Sequence, residues 1–274
     1  MKPVTFVEVI TPCTPRGEFH YAVFDFDGTI SLIREGWQQI MIPYFADELT
    51  ATPKGKHRNP QEIWKLASDF VEYNTGKQTI YQCISLAEEV EKLGGTPLTP
   101  QAYKEEYHQR LLERIDGRLK RLREGSISPQ EYLLPGSIQL LELLKNKGIT
   151  MYLASGTDEE YVFNEADLLG VTQYFNGGIY GAQTDYKTFS KKMVIERIVR
   201  ENSLAGPEVI GFGDGYVEIE NIKEVGGFAC GIASDEAGKK DIDPWKRQRL
   251  IKAGADIIIP HYGDLPSLEE YLFR

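Results

Sequence analysis

The sequence has few of the residues on which disulfide-bonded and metal-cluster proteins depend. Its 274 residues include three cysteines and four histidines. The cysteines are Cys13, Cys83 and Cys230, and their odd number and wide separation fit neither a disulfide framework nor a zinc site. We therefore expect a cytoplasmic protein with reduced thiols, and we expect no metal held by cysteine or histidine.

Long apolar runs and an excess of positive charge are missing as well. No run approaches the roughly 18 residues of a membrane span, and residues 1–10 lack the apolar centre of a signal peptide. The 41 Asp and Glu residues outnumber the 31 Lys and Arg residues, which gives a net charge of −10. Nucleic acid and anionic membrane surfaces are therefore not expected as partners. The oligomeric state stays open.

What the sequence does contain is an α/β pattern interrupted by a helical one. Residues 20–26 form a short apolar run, and from residue 135 onwards such runs alternate with helical segments. The later runs are Ile149–Ala154, Glu208–Phe212, Phe228–Ala233 and Asp256–Ile259. This alternation predicts βαβ units and a buried parallel sheet. Residues 31–134 have only helical patterns, so we expect an α/β domain of residues 1–30 and 135–274 with an all-helical insert.

Two carboxylates mark the end of the first predicted strand. Asp25 and Asp27 end the apolar run, and Gly28 permits a sharp turn directly after them. The carboxyl ends of strands are where open α/β sheets bind ligands. Because two carboxylates this close repel each other, the pair needs a cation or a shared proton. An ordinary Asp-Gly turn, with Asp25 a chance neighbour, is the alternative interpretation.

A second acidic pair follows a later strand. Asp214 lies at the end of an apolar run, and Glu218 lies at the start of the next predicted helix. Carboxylates from two strand ends could supply the oxygen ligands that Mg²⁺ prefers. Acidic residues are also favoured at helix N-termini for structural reasons alone.

Groups suited to binding an anion follow two further elements. Ser155, Gly156 and Thr157 lie at a predicted strand-to-helix turn, where a hydroxyl and backbone N–H groups form either an anion cradle or a simple helix cap. Three lysines precede or open another predicted helix: Lys187, Lys191 and Lys192. A cation at a helix start opposes the macrodipole, so these residues are interpreted either as holding a functional lysine or as a solvated charge run.

Taken in chain order, these groups resemble the four motifs of the haloacid dehalogenase superfamily. The matching residues are Asp25-Phe26-Asp27-Gly28-Thr29, Ser155, a lysine near 191, and Gly213-Asp214 with Glu218. The resemblance covers about residues 20–30 and 135–274. It implies a Rossmann-like parallel sheet flanked by helices, with a helical cap domain inserted at residues 31–134.

The resemblance also implies a role for each motif residue. Asp25 would accept the phosphoryl group as an aspartyl-phosphate, and Asp27 would protonate the leaving oxygen and then activate water. The implied cofactor is Mg²⁺. Its implied ligands are Asp25, Asp27 through the backbone carbonyl, Asp214, and Glu218 directly or through a water. The residues implied to hold the phosphoryl oxygens are Ser155, Gly156 and Thr157.

The lysine that would neutralise Asp25 is chosen by helical spacing. In similar sequences it often precedes a core apolar residue by one helical turn, and Lys191 stands in that relation to Ile195. Lys192 stands in the same relation to the charged Glu196. Lys191 is therefore the expected motif lysine, with Lys192 and Lys187 left open.

The implied activity is a Mg²⁺-dependent phosphatase acting on a small phosphorylated metabolite. Dehalogenase and phosphonatase members resemble this pattern but lack the second carboxylate, so Asp27 favours phosphate-ester hydrolysis. A sugar phosphomutase or an inorganic pyrophosphatase on the same scaffold is the alternative, and a non-catalytic binding protein is a further one. The helical insert is expected to select the substrate, with Lys77 and Arg58 as candidate contacts; an exposed helix connection is the simpler interpretation of both.

Overall fold

The chain folds as two units in the computed structural model. The structure describes residues 6–12, 14–183, 190–202 and 206–274. One unit is the helical segment Gly36–Lys120, and the other combines the segments before and after it. The helical unit is shorter than the predicted insert of residues 31–134. The connecting segments belong to the other unit because they pair with each other there, as Ser31 and Leu133 form an antiparallel bridge.

Four α-helices span most of the helical unit. They are α1 Gln38–Thr50, α2 Pro60–Asn74, α3 Ile80–Lys92 and α4 Pro100–Arg123. The start of α2 follows from its sequence, because the Asn59 side chain accepts a hydrogen bond from Gln61 N–H at 2.8 Å and Pro60 occupies the first turn. The buried apolar side chains of this unit include Met41, Phe45, Leu49, Ile63, Ala67, Val71, Leu86 and Ile115. No helix among the described residues is both long enough and apolar enough to cross a membrane.

The other unit contains a seven-stranded sheet within the described residues. Its strands are β1 Glu8–Val9, β2 Tyr21–Phe24, β3 Thr150–Asp158, β4 Gly178–Ala182, β5 Val209–Gly213, β6 Phe228–Ile232 and β7 Ile257–Ile259. Their spatial order is β1-β7-β6-β5-β2-β3-β4. Only β1 is antiparallel to its neighbour. The predicted α/β class with a largely parallel sheet is confirmed.

Six further α-helices accompany the sheet in the part of the chain that the structure describes. They are α5 Ser137–Asn146, α6 Glu159–Leu168, α7 Lys191–Glu201, α8 Tyr216–Glu224, α9 Pro244–Ala253 and α10 Leu265–Phe273. The sequence patterns did not predict β4 and α10. Two glycines in β4 weaken its strand pattern. Helix α10 carries ordinary start signals, since Asp264 caps it and Pro266 follows.

Strand β2 lies in the interior of the sheet, between β3 and β5. Phe24 pairs in register with Leu153 on one side and with Phe212 on the other. All three side chains are buried, and the Phe24 and Phe212 rings stack with centroids 4.5 Å apart. This register brings the carboxyl ends of three neighbouring strands to one edge of the sheet.

Candidate active site

The motif residues of three strands meet at this edge. Asp25 directly follows β2, Asp214 directly follows β5, and Ser155 lies in the second half of β3. The backbone pairing between β2 and β5 extends to Asp25, whose N–H donates to Phe212 O at 2.9 Å. The edge is the position at which open α/β sheets bind ligands.

Asp25 is buried and contacts a buried lysine. Lys191 Nζ donates to Asp25 Oδ1 at 2.7 Å, and Phe26 N–H donates to the same oxygen at 2.8 Å. Burial raises the pKa of Asp25 well above its usual value; Lys191 lowers it, and the carboxylates of Glu218 and Asp214 raise it again. One lysine therefore does not balance the charge around Asp25, and a further cation would favour its anionic form.

Lys191 is the first residue of α7 and is held there by a helix cap. The Ser190 side chain accepts a hydrogen bond from Met193 N–H at 3.1 Å, which fixes the start of the helix. Burial lowers the pKa of Lys191, but Asp25 and Glu218 raise it further, so the ammonium stays charged. Lys192 is half-exposed and pairs with Glu224 at 2.6 Å, while Lys187 lies outside the described residues.

Glu218, in the first turn of α8, is the second partner of Lys191. Lys191 Nζ donates to Glu218 Oε1, and Glu218 Oε2 is buried with no hydrogen-bond partner among the described residues. The absence of a side chain at Gly213 leaves room for Glu218, because a Cβ at Gly213 would lie 2.7 Å from Glu218 Cβ. In the structure Glu218 thus contacts Lys191. Its assignment as a metal ligand stays a prediction.

Asp27 is held by the predicted anion cradle. Thr157 Oγ1 donates to Asp27 Oδ2 at 2.8 Å, and Thr157 N–H donates to Ser155 Oγ at 3.0 Å, with Gly156 between them in β3. Burial raises the pKa of Asp27 to about 6. A carboxyl with this pKa can both give and take a proton near neutral pH.

A buried ion pair beside Asp27 was missed by sequence reasoning. Arg34 Nη2 donates to Glu165 Oε1 at 2.7 Å, and Arg34 Nε lies 3.9 Å from Asp27 Oδ1. That carboxylate oxygen is buried and has no hydrogen-bond partner in the described residues. The positive charge of Arg34 therefore attracts the Asp27 carboxylate, and the ion pair with Glu165 holds Arg34 in place. No motif connects these two distant positions, so the sequence carries no signal for the pair.

A second lysine at the edge was also missed. Lys246, in the first turn of α9, lies 2.7 Å from Asp214 Oδ2 and 2.5 Å from Glu236 Oε1. A signal was available, because Asp243 followed by Pro244 predicts a helix start. A cation in that first turn opposes the macrodipole, which is the same feature that pointed to Lys191.

Oxygen donors for a divalent cation are present at this edge. Among the described residues, His, Cys, Asp and Glu side chains form no group of three or more placed to hold a metal ion. The carboxylates of Asp25 and Asp214 lie at this edge, where Asp25 contacts Lys191 and Asp214 contacts Lys246. Mg²⁺ is often bound through one or two carboxylates and keeps several waters. The donor set and the surplus negative charge at Asp25 fit Mg²⁺.

The pattern of these residues along the chain matches a known family. A family model described as haloacid dehalogenase-like hydrolase matches residues 20–226. The chain belongs to this hydrolase family. The resemblance in the sequence motifs is thereby confirmed, and so is the expectation of a hydrolase. No curated protein matches the chain.

Several solved structures have the same fold as this haloacid dehalogenase-like hydrolase. A β-phosphoglucomutase from Clostridium difficile superposes with a TM-score of 0.59 at 16% identity, over 93% of this chain and 100% of the other. A predicted phosphoglycolate phosphatase from Haemophilus somnus gives 0.57 at 14%, over 92% and 98%. A haloacid dehalogenase-like family hydrolase from Streptococcus pneumoniae gives 0.56 at 19%, over 93% and 99%. At these identities the likeness establishes the fold alone.

The two candidate substrate contacts of the hydrolase belong to the helical unit. Lys77 Nζ donates to Asn74 Oδ1 at 3.1 Å and lies 4.5 Å from the centre of the Tyr73 ring. Arg58 is exposed, and its backbone N–H donates to Gly55 O at 2.9 Å. Lys77 is thus held in the turn between α2 and α3, and a substrate role for either residue stays a prediction.

Proposed function

We propose that this hydrolase is a Mg²⁺-dependent phosphatase that releases phosphate from a small phosphorylated metabolite through an aspartyl-phosphate on Asp25. The observation that carries the proposal is the 2.7 Å contact between Lys191 Nζ and Asp25 Oδ1 at the carboxyl end of β2. A buried carboxylate beside a fixed cation suits attack on an anionic phosphoryl group, because the cation reduces the repulsion between them.

Asp27 is proposed as the acid and base of the two half-reactions. In the first it gives its proton to the leaving oxygen, and in the second it takes a proton from the water that attacks the phosphoryl group. Thr157 holds Asp27 Oδ2 at 2.8 Å, which limits rotation of the carboxyl between the two steps. The pKa of about 6 supports both directions of transfer.

The remaining groups are proposed to bind the transferring phosphoryl group. Ser155 and the backbone N–H of Gly156 lie at the same strand edge and could donate to its oxygens. Asp25, Asp214 and the Asp27 carbonyl would hold Mg²⁺, which supplies charge neutralisation when it is bound. Lys191 neutralises the same charge from the α7 side.

The experiment is phosphate release from a small aryl phosphate and from a panel of phosphorylated metabolites, with Mg²⁺ and with a chelator. We expect turnover that depends on Mg²⁺ and a phosphorylated Asp25 after acid quench. Borohydride reduction followed by peptide mass spectrometry would locate that phosphorylated carboxyl.

Other outcomes identify the alternatives. Isomerisation of a sugar phosphate that requires a bisphosphate activator would indicate a phosphomutase, the activity named for one of the structural neighbours. Exclusive cleavage of inorganic pyrophosphate would indicate a pyrophosphatase. Binding of a metabolite with no turnover under any condition would overturn the enzymatic proposal.

A further inference from the structure

Lys246 bridges two carboxylates at the same sheet edge as Asp25. Its Nζ lies 2.7 Å from Asp214 Oδ2 and 2.5 Å from Glu236 Oε1. The three side chains are 12%, 16% and 18% exposed, respectively. Ion pairs that are this close and this shielded from solvent are only weakly screened. The charge of Asp214 is therefore largely balanced by a residue of the chain itself.

Local contacts fix the position of this ammonium. The Asp243 side chain accepts a hydrogen bond from Lys246 N–H at 2.8 Å and so sets the first turn of α9. The loop that carries Glu236 is tied to the motif turn, because Ser234 Oγ donates to Gly28 O at 3.2 Å. Lys246 and Glu236 are thus attached to the turn that follows Asp27, and their contact with Asp214 is part of the fold.

There is little free space around the Asp214 carboxylate. A Cβ at Gly28 would lie 2.4 Å from Asp214 Oδ2 and 3.1 Å from Glu236 Oε1. A divalent cation on Asp214 would share a crowded carboxylate with an ammonium that already contacts it. A cation and an ammonium that both contact one carboxylate lie close together and repel each other strongly.

We propose that Lys246 is a built-in competitor of the metal ion for Asp214. Its ammonium neutralises Asp214 when no divalent cation is bound, and it is left with Glu236 as its partner when one binds. Glu236 keeps the displaced ammonium from becoming a buried, unpaired charge. The Lys246–Glu236 pair therefore lowers the affinity of the site for Mg²⁺ and sets the concentration at which it fills. This inference rests on the proposed role of Asp214 as a metal ligand.

The test is calorimetric titration of Mg²⁺ into the metal-free protein and its variants. Lys246→Met should bind Mg²⁺ at least tenfold more tightly than the wild type, because the competitor is gone. Lys246→Arg keeps the charge and should stay within threefold of the wild type. The double variant Lys246→Met with Glu236→Gln has the wild-type net charge and should still bind at least threefold more tightly. This result would separate local competition from a general charge effect.

The contrary results are distinct. Unchanged or weaker binding by Lys246→Met, or wild-type affinity in the double variant, would overturn the competitor role. Asp214→Asn should lose Mg²⁺ binding; if it bound as the wild type does, the proposed metal site itself would fall. Thermal unfolding in chelator checks that each variant is folded, and Lys246→Gln replaces Lys246→Met in the same titration if the methionine variant does not fold.

Discussion

The ammonium of Lys191 lies 2.7 Å from Asp25 Oδ1 and also contacts Glu218, so two buried carboxylates share one buried cation. Lys246 stands in the same relation to Asp214 and Glu236. At this edge of the sheet, each of the two lysines bridges one aspartate that directly follows a strand and one glutamate from another segment.

The first prediction concerns the proposed nucleophile. Asp25→Asn keeps the side-chain shape but removes the attacking anion, so turnover should fall by at least about 10³-fold, or roughly 4 kcal/mol of barrier. Phosphate release under saturating Mg²⁺ measures it. Asp69→Asn, at an exposed residue of α2 that pairs with Lys65, is the matched control and should keep wild-type turnover. Turnover of Asp25→Asn within tenfold of the wild type would rule out the covalent mechanism.

The second prediction separates two adjacent lysines. Lys191→Met removes the cation on Asp25 and should lower kcat by about 10²-fold or more, because charge on the transferring group is then poorly stabilised. Lys192 pairs with Glu224 at the surface, so Lys192→Met should leave kcat within twofold. Steady-state kinetics on one aryl phosphate tests both variants. Equal losses in the two would show that Lys191 has no specific role.

The third prediction concerns the ligands of the metal. Asp214→Asn should weaken Mg²⁺ binding by at least tenfold. Glu218→Gln should change it by less than threefold, because one Glu218 oxygen already contacts Lys191. Calorimetric titration of Mg²⁺ into the two variants measures the two affinities. The reverse order would make Glu218 a direct ligand and Asp214 a structural residue.

The fourth prediction uses two glycines with the same positive φ. Gly28 and Gly148 both have φ of +75°, but a Cβ at Gly28 would lie 2.4 Å from Asp214 Oδ2, while a Cβ at Gly148 has no neighbour within 4 Å. Gly148→Ala should lose about 1 kcal/mol of unfolding free energy because of its positive φ, and Gly28→Ala should lose more, because its Cβ would also clash with Asp214. Only Gly28→Ala should also lose Mg²⁺ affinity, by at least tenfold. Urea unfolding and calorimetry measure the two effects separately, and normal affinity in Gly28→Ala would refute the crowding argument.

The fifth prediction concerns substrate selection by the helical unit. Lys77→Ala should raise KM for the natural substrate by tenfold or more and leave hydrolysis of a small aryl phosphate nearly unchanged, since that compound offers little for Lys77 to contact. Arg58→Ala is the parallel variant and should have a smaller effect of the same kind. An equal loss on both substrates would assign Lys77 to the stability of its turn, where it bonds Asn74.

Much of the fold could be predicted because its signals are local. Apolar runs that alternate with helical segments predict a parallel sheet wherever they occur, and helix caps such as Asn59 with Pro60 act within a few residues. Strand β4 was missed because its glycines weaken the local pattern. The contacts that set the limits of the helical unit are not local, since Ser31 pairs with Leu133 at the other end of the insert.

The sequence by itself determined which chemical groups stand at the ends of the strands. Asp25, Asp27, Ser155 and Asp214 each follow or end an apolar run, and a parallel sheet brings the ends of such runs to one edge. Their order along the chain was sufficient to indicate the hydrolase family, which the family model confirms.

Only the tertiary structure decided which charges meet. Whether Lys191 contacts Asp25, and whether Lys246 contacts Asp214, depends on strand register, helix position and the burial of each side chain. Such contacts join residues that are far apart in the chain, and an ion pair has no sequence pattern of its own. Charged side chains become buried only where the folded chain supplies a partner. The family resemblance implied a lysine beside Asp25, but the contact of Lys191 with Glu218 and that of Lys246 with Asp214 came only from the folded structure.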